Sequence, residues 1–385
     1  MAAIRNALIV GGGIGGLTLG TALAQRGIAC EILEIKKQHS VLGVGIIQPG
    51  NVLRALRTIG VLEQCLAEGF PANERRYHDT HGRMLVASPA TRIAGDDVPA
   101  ISSLPRTALH RILLDAALRA GAKVSMGTTL AGFTDGGAGI KATLSDGREL
   151  TSDLLVAADG IRSPLRRQLF PDAPDTRYSG YGCWRVTLPR PDDITFSGIY
   201  QGANGTKAGL IPLTQKTMYL YLVTTEPGNP WMDPAEQHRL LRERLAGYGG
   251  IVGSIRDGLN PQSEVYYAAL EEVVQPAPWY RGNALLIGDA AHASLPHMAQ
   301  GAAMAIEDAL VLAELAAQDL PAPERMNRFM SRRLDRCMYV QNTSHAMADS
   351  ELNYTPEKVL QHQEYLREHF PAMWKKNEMR LMEAI

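Results

Sequence analysis

A glycine-rich turn near the start of the chain, Gly11-Gly12-Gly13-Ile14-Gly15-Gly16, restricts the possible folds more than any other segment. The apolar run at residues 7–10 precedes it and predicts a buried parallel strand. Residues 17–26 have a helical composition, and residues 30–33 predict a second strand. The order of strand, glycine turn, helix and strand predicts a βαβ unit, and therefore a parallel sheet.

The spacing Gly11-x-Gly13-x-x-Gly16 suits the diphosphate of a dinucleotide. Gly11 permits a tight turn, Gly13 lets the backbone approach the diphosphate, and Gly16 allows the helix to pack closely on the strand. Glu34 follows about 20 residues later, where a carboxylate accepts a hydrogen bond from a ribose hydroxyl. An acidic residue there predicts a free 2′-hydroxyl, so the bound nucleotide is FAD or NAD and not NADP.

Two later segments repeat the pattern of an apolar strand that ends in a carboxylate. Residues 154–157 lead to Asp159-Gly160, and residues 284–287 lead to Gly288-Asp289. A loop of small residues then leads to a helix that begins at Gly301. The N-terminus of a helix has partial positive charge and unpaired N–H groups, which suit an electron-rich ligand. An ordinary strand–loop–helix crossover is the alternative interpretation of this segment.

The rest of the chain predicts a second sheet and further helices. Alternating segments rich in Tyr, Thr and Val between residues 178 and 224 predict antiparallel strands. Other predicted elements are helices over residues 52–59 and 108–119, a β-meander over residues 123–151, and helices over residues 234–247, 323–347 and onward from Pro356. The glycine-rich segment before the first of these helices is either a connector with Asn51 as the helix cap or a backbone that lies against a flat cofactor ring.

These elements predict an α/β fold in which a Rossmann-like nucleotide-binding domain is interleaved with an antiparallel β-sheet domain, followed by C-terminal helices. The nucleotide-binding domain is assigned to residues 1–72, 101–175 and 276–320, and the sheet domain to residues 73–100 and 176–275. The C-terminal helical segment is residues 321–385.

Composition excludes several classes of function. The formal net charge of -1 argues against a nucleic-acid-binding protein. The four cysteines form no CxxC or metal-ligand pattern, which argues against dithiol redox chemistry and a metal centre, and suits a reducing compartment. Without a secretory signal or an apolar run of about 18 residues, we expect a cytoplasmic protein, monomeric or homodimeric, with no stable membrane association.

Taken together, the three motifs resemble those of the single-component FAD-dependent aromatic hydroxylases, the p-hydroxybenzoate hydroxylase-like monooxygenases. Gly11-x-Gly13-x-x-Gly16, Asp159-Gly160 and Gly288-Asp289 occur in the family's order and spacing over nearly the whole chain. The resemblance implies an FAD-binding domain interleaved with a β-sheet substrate domain.

Two shorter segments are similar to particular branches of this family. Residues 296–301 resemble the 6-hydroxynicotinate and 3-hydroxybenzoate hydroxylases, although the commoner form of this segment has glycine at the position of Ala299. Residues 182–185 resemble the alkylquinolone hydroxylases. Ile47 stands where the hydroxynicotinate enzyme has a substrate-side histidine, so the aromatic substrate and its site of hydroxylation stay open.

The resemblance also implies which residues contact FAD. Gly11, Gly13 and Gly16 would lie at the diphosphate and Glu34 at the adenosine ribose. Arg106 would lie along the ribityl-diphosphate chain, and Asp159 would lie near that chain with a part in pyridine-nucleotide handling. Asp289 would bind a ribityl or diphosphate-side hydroxyl. The N–H groups of residues 301–304 would face the flavin N1–C2=O edge. The cofactor-binding set is completed by Ile14, Gly15, Lys36, Gly45, Ile46, Gly288, Pro296, Gly301, Ala302, Ala303 and Met304.

The chemistry implied is hydroxylation of an electron-rich aromatic or N-heteroaromatic ring by O₂, through a hydroperoxide at C4a of the reduced FAD. The chain has one dinucleotide fingerprint, so NADH or NADPH would bind transiently as the reductant. The protein must exclude water and hold the phenol-like substrate beside the flavin.

Four residues are candidates for contact with the substrate. His297 is a candidate general base or hydrogen-bond partner, and a structural loop histidine is the alternative. Tyr219 and Tyr221 share one face of a strand, which either lines the substrate chamber or packs the sheet. Arg185 either pairs with a substrate anion or forms a salt bridge within the sheet.

Two other functions fit the same motifs. One is an FAD-dependent oxidase or dehydrogenase that acts on a small cyclic substrate without oxygen insertion, and the other is a binding protein that has lost catalysis. An oxidase would be reduced by its substrate alone, whereas a monooxygenase needs a nicotinamide whose oxidation an aromatic ligand accelerates.

Overall fold

The computed structural model describes residues 4–38, 43–137, 139–202, 206–352 and 356–385. The strands, in chain order, are β1 (Asn6–Val10), β2 (Ala29–Glu34), β3 (Gly45–Pro49), β4 (Phe70–Ala72), β5 (Glu74–His78), β6 (Met84–Pro89), β7 (Ile101–Pro105), β8 (Lys123–Met126), β9 (Leu130–Asp135), β10 (Ile140–Leu144), β11 (Glu149–Ser152), β12 (Leu154–Ala157), β13 (Arg177–Pro189), β14 (Ser197–Gln201), β15 (Thr206–Pro212), β16 (Thr217–Thr225), β17 (Val265–Glu272), β18 (Tyr280–Arg281) and β19 (Ala284–Leu286). The helices are α1 (Ile14–Ala24), α2 (Gly50–Thr58), α3 (Leu62–Glu68), α4 (Arg106–Ala120), α5 (Pro164–Leu169), α6 (Gln237–Arg244), α7 (Gly250–Gly258), α8 (Asp289–His292), α9 (Gly301–Ala316), α10 (Ala322–Leu352) and α11 (Pro356–Met382), with 3₁₀ turns at Pro234–Glu236 and Pro296–Met298.

A six-stranded sheet in the order β18-β19-β12-β1-β2-β8 forms the first layer. Its apolar strands are buried on both faces, as a parallel sheet requires. Val10 at the end of β1 lies opposite Ala157 at the end of β12, and Ala157 lies opposite Leu286 at the end of β19. The three strands therefore end side by side, and the three motifs that follow them start at one edge of the sheet.

A seven-stranded sheet in the order β17-β13-β16-β15-β14-β5-β6 forms the second layer. One of its faces packs on α6 and α7 through Trp184, Leu220, Leu245 and other buried apolar residues. Smaller sheets, β11-β10-β9 and β3-β7-β4, complete the architecture. The α/β fold, with a parallel nucleotide-binding type of sheet and a separate antiparallel sheet, is confirmed.

Two local predictions were wrong. Asn51 does not cap a helix, because α2 begins one residue earlier and the Asn51 amide instead donates to Gln300 and Glu307 at 2.9 and 3.0 Å. Residues 123–126 do not join the β-meander, because they form the parallel edge strand β8 beside β2. The missing strand of the meander is β9, which pairs with β10. Both errors concern partners distant in sequence, which local patterns do not specify.

Several helix boundaries also differ from prediction. The helix predicted over residues 234–247 is a 3₁₀ turn at Pro234–Glu236 followed by the shorter α6. The long C-terminal helix α10 extends five residues beyond its predicted end at residue 347, to residue 352. Within the described parts of the chain, no helix combines the length and apolar composition needed to cross a membrane.

A buried ionic network joins α9 and α10 to the parallel sheet. The Asp308 carboxylate accepts from the backbone N–H of Gly288 at 2.9 Å and from Arg333 Nε at 2.7 Å, and it lies 2.6 Å from His292 Nε2. Arg333 also donates to Glu307. Burial alone would raise the pKa of Asp308, but the charges of His292 and Arg333 outweigh it and hold that pKa well below its usual range.

Removal of Arg333 should strongly destabilise the protein, because Glu307 and Asp308 would keep their charges in a fully buried site. We expect Arg333→Ala to lower the free energy of unfolding by about 3–5 kcal/mol in urea titrations. Arg328→Ala on the same helix removes an exposed pair with Glu324 and should cost less than about 1 kcal/mol. Equal losses in the two variants would contradict this interpretation.

Candidate active site

The glycine turn after β1 is shaped by close backbone contacts. Gly11 has a φ of +111°, and a Cβ there would lie 2.2 Å from the carbonyl oxygen of Ala158. A Cβ on Gly16 would lie 1.9 Å from the carbonyl oxygen of Gly11, so the close approach of α1 to the turn requires glycine at position 16. By contrast, a Cβ on Gly13 would meet no atom within 4 Å. Gly13 therefore presents an open backbone beside the start of α1, as a diphosphate site requires.

Glu34 is fixed at the end of β2 by backbone donors. Its Oε2 accepts from the N–H of Gly12 at 3.0 Å, and its Oε1 accepts from the N–H of Lys36 at 2.9 Å. These bonds hold the carboxylate beside the glycine turn, where it remains partly exposed. Glu34 and the exposed Lys36 lie outside the wall of the cavity described next.

A cavity of about 510 Å³ begins at the glycine turn and extends to the inner face of the seven-stranded sheet. It brings together fifteen of the residues singled out from sequence: Gly13, Ile14, Gly15, Gly45, Ile46, Arg106, Arg185, Tyr219, Tyr221, Gly288, Asp289, Pro296, His297, Gly301 and Ala302. The residues that do not line it are Gly11, Gly16, Glu34, Lys36, Asp159, Ala303 and Met304.

The carboxylates of the two later motifs have different surroundings. Asp289 lines the cavity near Arg106. Burial lowers the pKa of Arg106, and the charge of Asp289 opposes that lowering. Asp159 does not line the cavity: its Oδ2 accepts from the N–H of Leu165 at 3.2 Å in the first turn of α5, and its buried Oδ1 has no partner in the described structure. Burial raises the pKa of Asp159 above its ordinary value. Ala158 and Gly160, the neighbours of Asp159 in the chain, both line the cavity, and the expected place of Asp159 near the cofactor chain stays a prediction.

Of the four residues at the start of α9 that were expected to face the flavin, only the first two line the cavity. Gly301 and Ala302 line the cavity, whereas the side chains of Ala303 and Met304 are buried on the other side of the helix. The N–H of Met304 donates to the carbonyl of Gln300 at 2.9 Å, which is the first hydrogen bond of the helix. The prediction that the Met304 N–H faces the flavin was therefore wrong. The N–H groups that the helix itself leaves without an intrahelical acceptor are those of residues 301–303.

Four polar side chains converge on the inner part of the cavity. The His297 side chain is fully buried, and neither ring nitrogen has a hydrogen-bond partner in the described structure. Burial and the nearby charge of Lys207 hold the pKa of His297 well below its ordinary value, so the imidazole is neutral at pH 7. Burial raises the pKa values of Tyr219 and Tyr221, so both keep their phenolic protons.

Arg185 completes this group of four. It lies on β13 directly opposite Tyr221 of β16, and its guanidinium makes no hydrogen bond or ion pair with the described residues. The predicted alternative, a salt bridge within the sheet, is therefore not formed by those residues. Because a guanidinium stays charged in proteins, the cavity contains a cation suited to an anionic or electron-rich ligand.

Sequence reasoning missed two parts of the cavity wall. One is the buried ion pair between Lys207 on β15 and Glu351 on α10, whose carboxylate lies 3.9 Å from His297 Nε2. The other is a face of α11. The four-residue spacing of Leu366, Phe370 and Trp374 marks that face in the sequence, whereas nothing local indicates that Lys207 and Glu351 meet.

Comparison with known proteins gives the family. The model of the FAD binding domain family matches residues 5–343. The 2-heptyl-3-hydroxy-4(1H)-quinolone synthase of Pseudomonas aeruginosa is 34% identical over 345 residues, covering 88% of this chain and 87% of its own. The aurachin C monooxygenase/isomerase of Stigmatella aurantiaca is 33% identical over 334 residues, covering 86% and 85%. The chain belongs to the FAD binding domain family.

A solved structure shares the fold. HpxO of Klebsiella pneumoniae, crystallised with FAD and uric acid, superposes with a TM-score of 0.88 at 23% identity, covering 98% of this chain and 97% of that one. The predicted family, its FAD cofactor and its flavin monooxygenase chemistry are confirmed. The assignments of individual residues stay predictions.

The described residues fit FAD. The open backbone at Gly13 leaves room for a diphosphate, Glu34 is oriented for a ribose, and Arg106 and Asp289 stand along the cavity between them and the inner chamber. The first turn of α9 has its N–H groups at the same cavity and its side chains are small. This arrangement suits the electron-rich edge of a flavin.

Gly13→Ala should separate FAD binding from folding. The added methyl group meets no protein atom, and the poorer N-cap should lower the stability of the apoprotein by no more than about 1 kcal/mol. FAD should bind at least about tenfold more weakly, because the methyl group occupies the space of the diphosphate. Gly132→Ala, also in open space but outside the cavity wall, is the matched control and should leave FAD affinity unchanged. Fluorescence titration of the apoproteins measures both affinities, and unaltered binding by Gly13→Ala would refute the diphosphate assignment.

Proposed function

We propose that this protein hydroxylates a phenol-like N-heteroaromatic ring, using NADH or NADPH and O₂, in the chamber formed by Arg185, Tyr219, Tyr221 and His297. The observation that carries the proposal is that both buried ring nitrogens of His297 have no hydrogen-bond partner among the described residues, in a cavity that Arg185, Tyr219 and Tyr221 also line. Buried polar groups are normally paired, so the unpaired imidazole indicates a polar ligand. The name of the 2-heptyl-3-hydroxy-4(1H)-quinolone synthase contains an N-heteroaromatic ring, which supports a substrate of this class.

The charge state of each of the four side chains determines its role toward the substrate. Neutral His297 can accept from a substrate hydroxyl with one ring nitrogen and donate with the other. Its lowered pKa disfavours full proton removal from a phenol, so it acts as a hydrogen-bond partner and not as a strong base. Arg185 stabilises the negative charge that develops on the substrate oxygen as the ring becomes electron-rich.

The tyrosines orient the ring. Tyr219 and Tyr221 keep their protons and offer hydroxyl donors from one face of β16, with ring centroids 6.2 Å apart. The buried wall around His297 excludes water from the same space. FAD, when bound and reduced by the nicotinamide, supplies the reducing equivalents and the activation of O₂.

The reaction class is tested by stopped-flow reduction of the FAD-loaded enzyme with NADH and with NADPH across hydroxylated benzoates, pyridines, quinolones and purines. We expect at least one N-heteroaromatic ligand to accelerate reduction by about tenfold or more and to yield a product that contains one added oxygen atom. Reduction of the flavin by the aromatic compound alone, without nicotinamide, would instead support the oxidase alternative. If no ligand accelerates reduction or is hydroxylated, the proposal fails.

The role of His297 is tested with the ligand found in that panel. His297→Ala should retain FAD but lower the rate of product formation by about tenfold or more, because a buried hydrogen bond to the substrate is lost. His297→Gln, which keeps a donor and an acceptor, should recover part of the rate. His369→Ala, at an exposed position of α11, is the control for the substitution itself. If His297→Ala forms product as fast as the unmodified enzyme, with the same consumption of nicotinamide, His297 has no role in the chamber.

A further inference from the structure

The cavity continues beyond the four polar side chains into a second space, here called the distal compartment. Its walls come from β5, β14 and α11, and its main apolar lining residues are Tyr77, Ile199, Leu366, Phe370, Met373 and Trp374. The same cavity thus reaches from the glycine turn to the C-terminal helix.

The sequence builds this wall by two simple periodicities. Leu366, Phe370 and Trp374 recur every four residues and therefore lie on one face of α11. Tyr77 and Ile199 are directly opposite each other in the parallel pair of β5 and β14. Tyr77 meets Phe370 in an edge-to-face contact with ring centroids 5.3 Å apart, which holds the helix on the sheet. The compartment is therefore a built apolar space between two fixed elements.

The charged groups near the compartment are already paired. Lys207 is bound to Glu351, and Arg75 pairs with Glu378 at 2.6 Å while it lies 4.4 Å above the ring of Trp374. The compartment therefore offers apolar contact and no uncompensated charge from these residues. An apolar group is favoured there over an ionised one.

One hydrogen-bond donor in the compartment, the indole N–H of Trp374, has no acceptor in the described structure. The indole Nε1 of Trp374 is buried and has no acceptor in the described structure, although it lines the cavity. The hydroxyl of Ser197, on β14 opposite Arg75, is also buried without a partner. Buried indole N–H groups usually find an acceptor, so Trp374 indicates a ligand atom at this end.

We propose that the distal compartment binds a side chain carried by the aromatic substrate: an apolar alkyl chain with an oxygen acceptor toward its end, which Trp374 Nε1 contacts. The inference rests on the proposed function, because the ring of the same molecule would occupy the chamber. Continuity of the cavity identifies the occupant, since a substituent on a ring held at His297 extends into this space. The family match ends at residue 343, so the helix that selects the side chain lies beyond the matched region.

Calorimetric titration tests whether the distal compartment binds the alkyl chain. The FAD-loaded enzyme is titrated with 4-hydroxyquinoline and with its 2-methyl, 2-butyl and 2-heptyl derivatives. Affinity should rise about two- to fourfold for each added methylene group, as expected for burial of apolar surface. Equal affinity for the methyl and heptyl compounds, or weaker binding of the longer ones, would overturn the proposal.

A substitution that fills the compartment gives a second test. Met373→Phe should weaken binding of the heptyl compound by about tenfold or more, as expected when the space for several methylene groups is lost, and leave the methyl compound nearly unaffected. Met379→Phe makes the same change at an exposed position of α11 and should alter neither affinity. Equal effects on the short and long compounds would show that Met373 does not face the side chain.

Trp374→Phe tests the acceptor, because it keeps an aromatic ring and removes the N–H. A 2-(6-oxoheptyl) compound should lose about five- to tenfold in affinity, as for one lost hydrogen bond, while the 2-heptyl compound should be unaffected. Equal losses would overturn the contact with an oxygen acceptor.

Measuring both binding and product formation distinguishes a failure of this inference from a failure of the proposed function. If the heptyl compound binds more tightly than the methyl compound but no compound is hydroxylated, the compartment is supported and the reaction class fails. If short compounds are hydroxylated as efficiently as long ones and bind equally well, the reaction class stands and the compartment assignment fails.

Discussion

The Asp308 carboxylate is the interaction on which the geometry of the site depends. It is completely buried, and it connects the turn at Gly288, the short helix α8 through His292, and α10 through Arg333. A buried carboxylate is tolerated only when its partners satisfy it, so these elements are held in one arrangement. Because Gly288 and the first turn of α9 both line the cavity, Asp308 fixes the distance between the two walls of the cofactor site without entering it.

The parallel sheet makes this arrangement possible. Its three central strands end in register, so the glycine turn, the segment around Asp159 and the turn before Asp289 start from one edge. Ligands of open α/β sheets bind outside the carboxyl ends of the strands. The antiparallel sheet then provides a second, chemically different wall with Arg185 and the two tyrosines. The cavity is thus lined from two sheets whose segments alternate along the chain.

The features that were predicted correctly from sequence depend on short-range patterns. The glycine spacing, the apolar strands and the start of α9 specify local backbone geometry, and they led to the fold and to most of the cavity wall. The errors came from competition for hydrogen bonds. Asn51 was a candidate cap for α2, but its amide donates to Gln300 and Glu307. The N–H of Met304 was expected to be free, but the carbonyl of Gln300 accepts it. Contacts between distant segments, such as Lys207 with Glu351, leave no local trace in sequence.

The loop between the two walls shows how local strain serves the site. Ala299 adopts a left-handed conformation with a φ of +55°, which costs a residue with a Cβ about 1–2 kcal/mol. Its N–H donates to the carbonyl of Pro296, which closes the 3₁₀ turn. This reversal places the His297 side chain against the cavity and, two residues after Ala299, starts α9 with Gly301 and Ala302 on the wall of the same cavity. A glycine at this position would remove the strain but would also make the loop more flexible in the unfolded chain. Because the left-handed conformation persists with an alanine, the surrounding structure must offset its cost and hold His297 and the start of α9 in this relation.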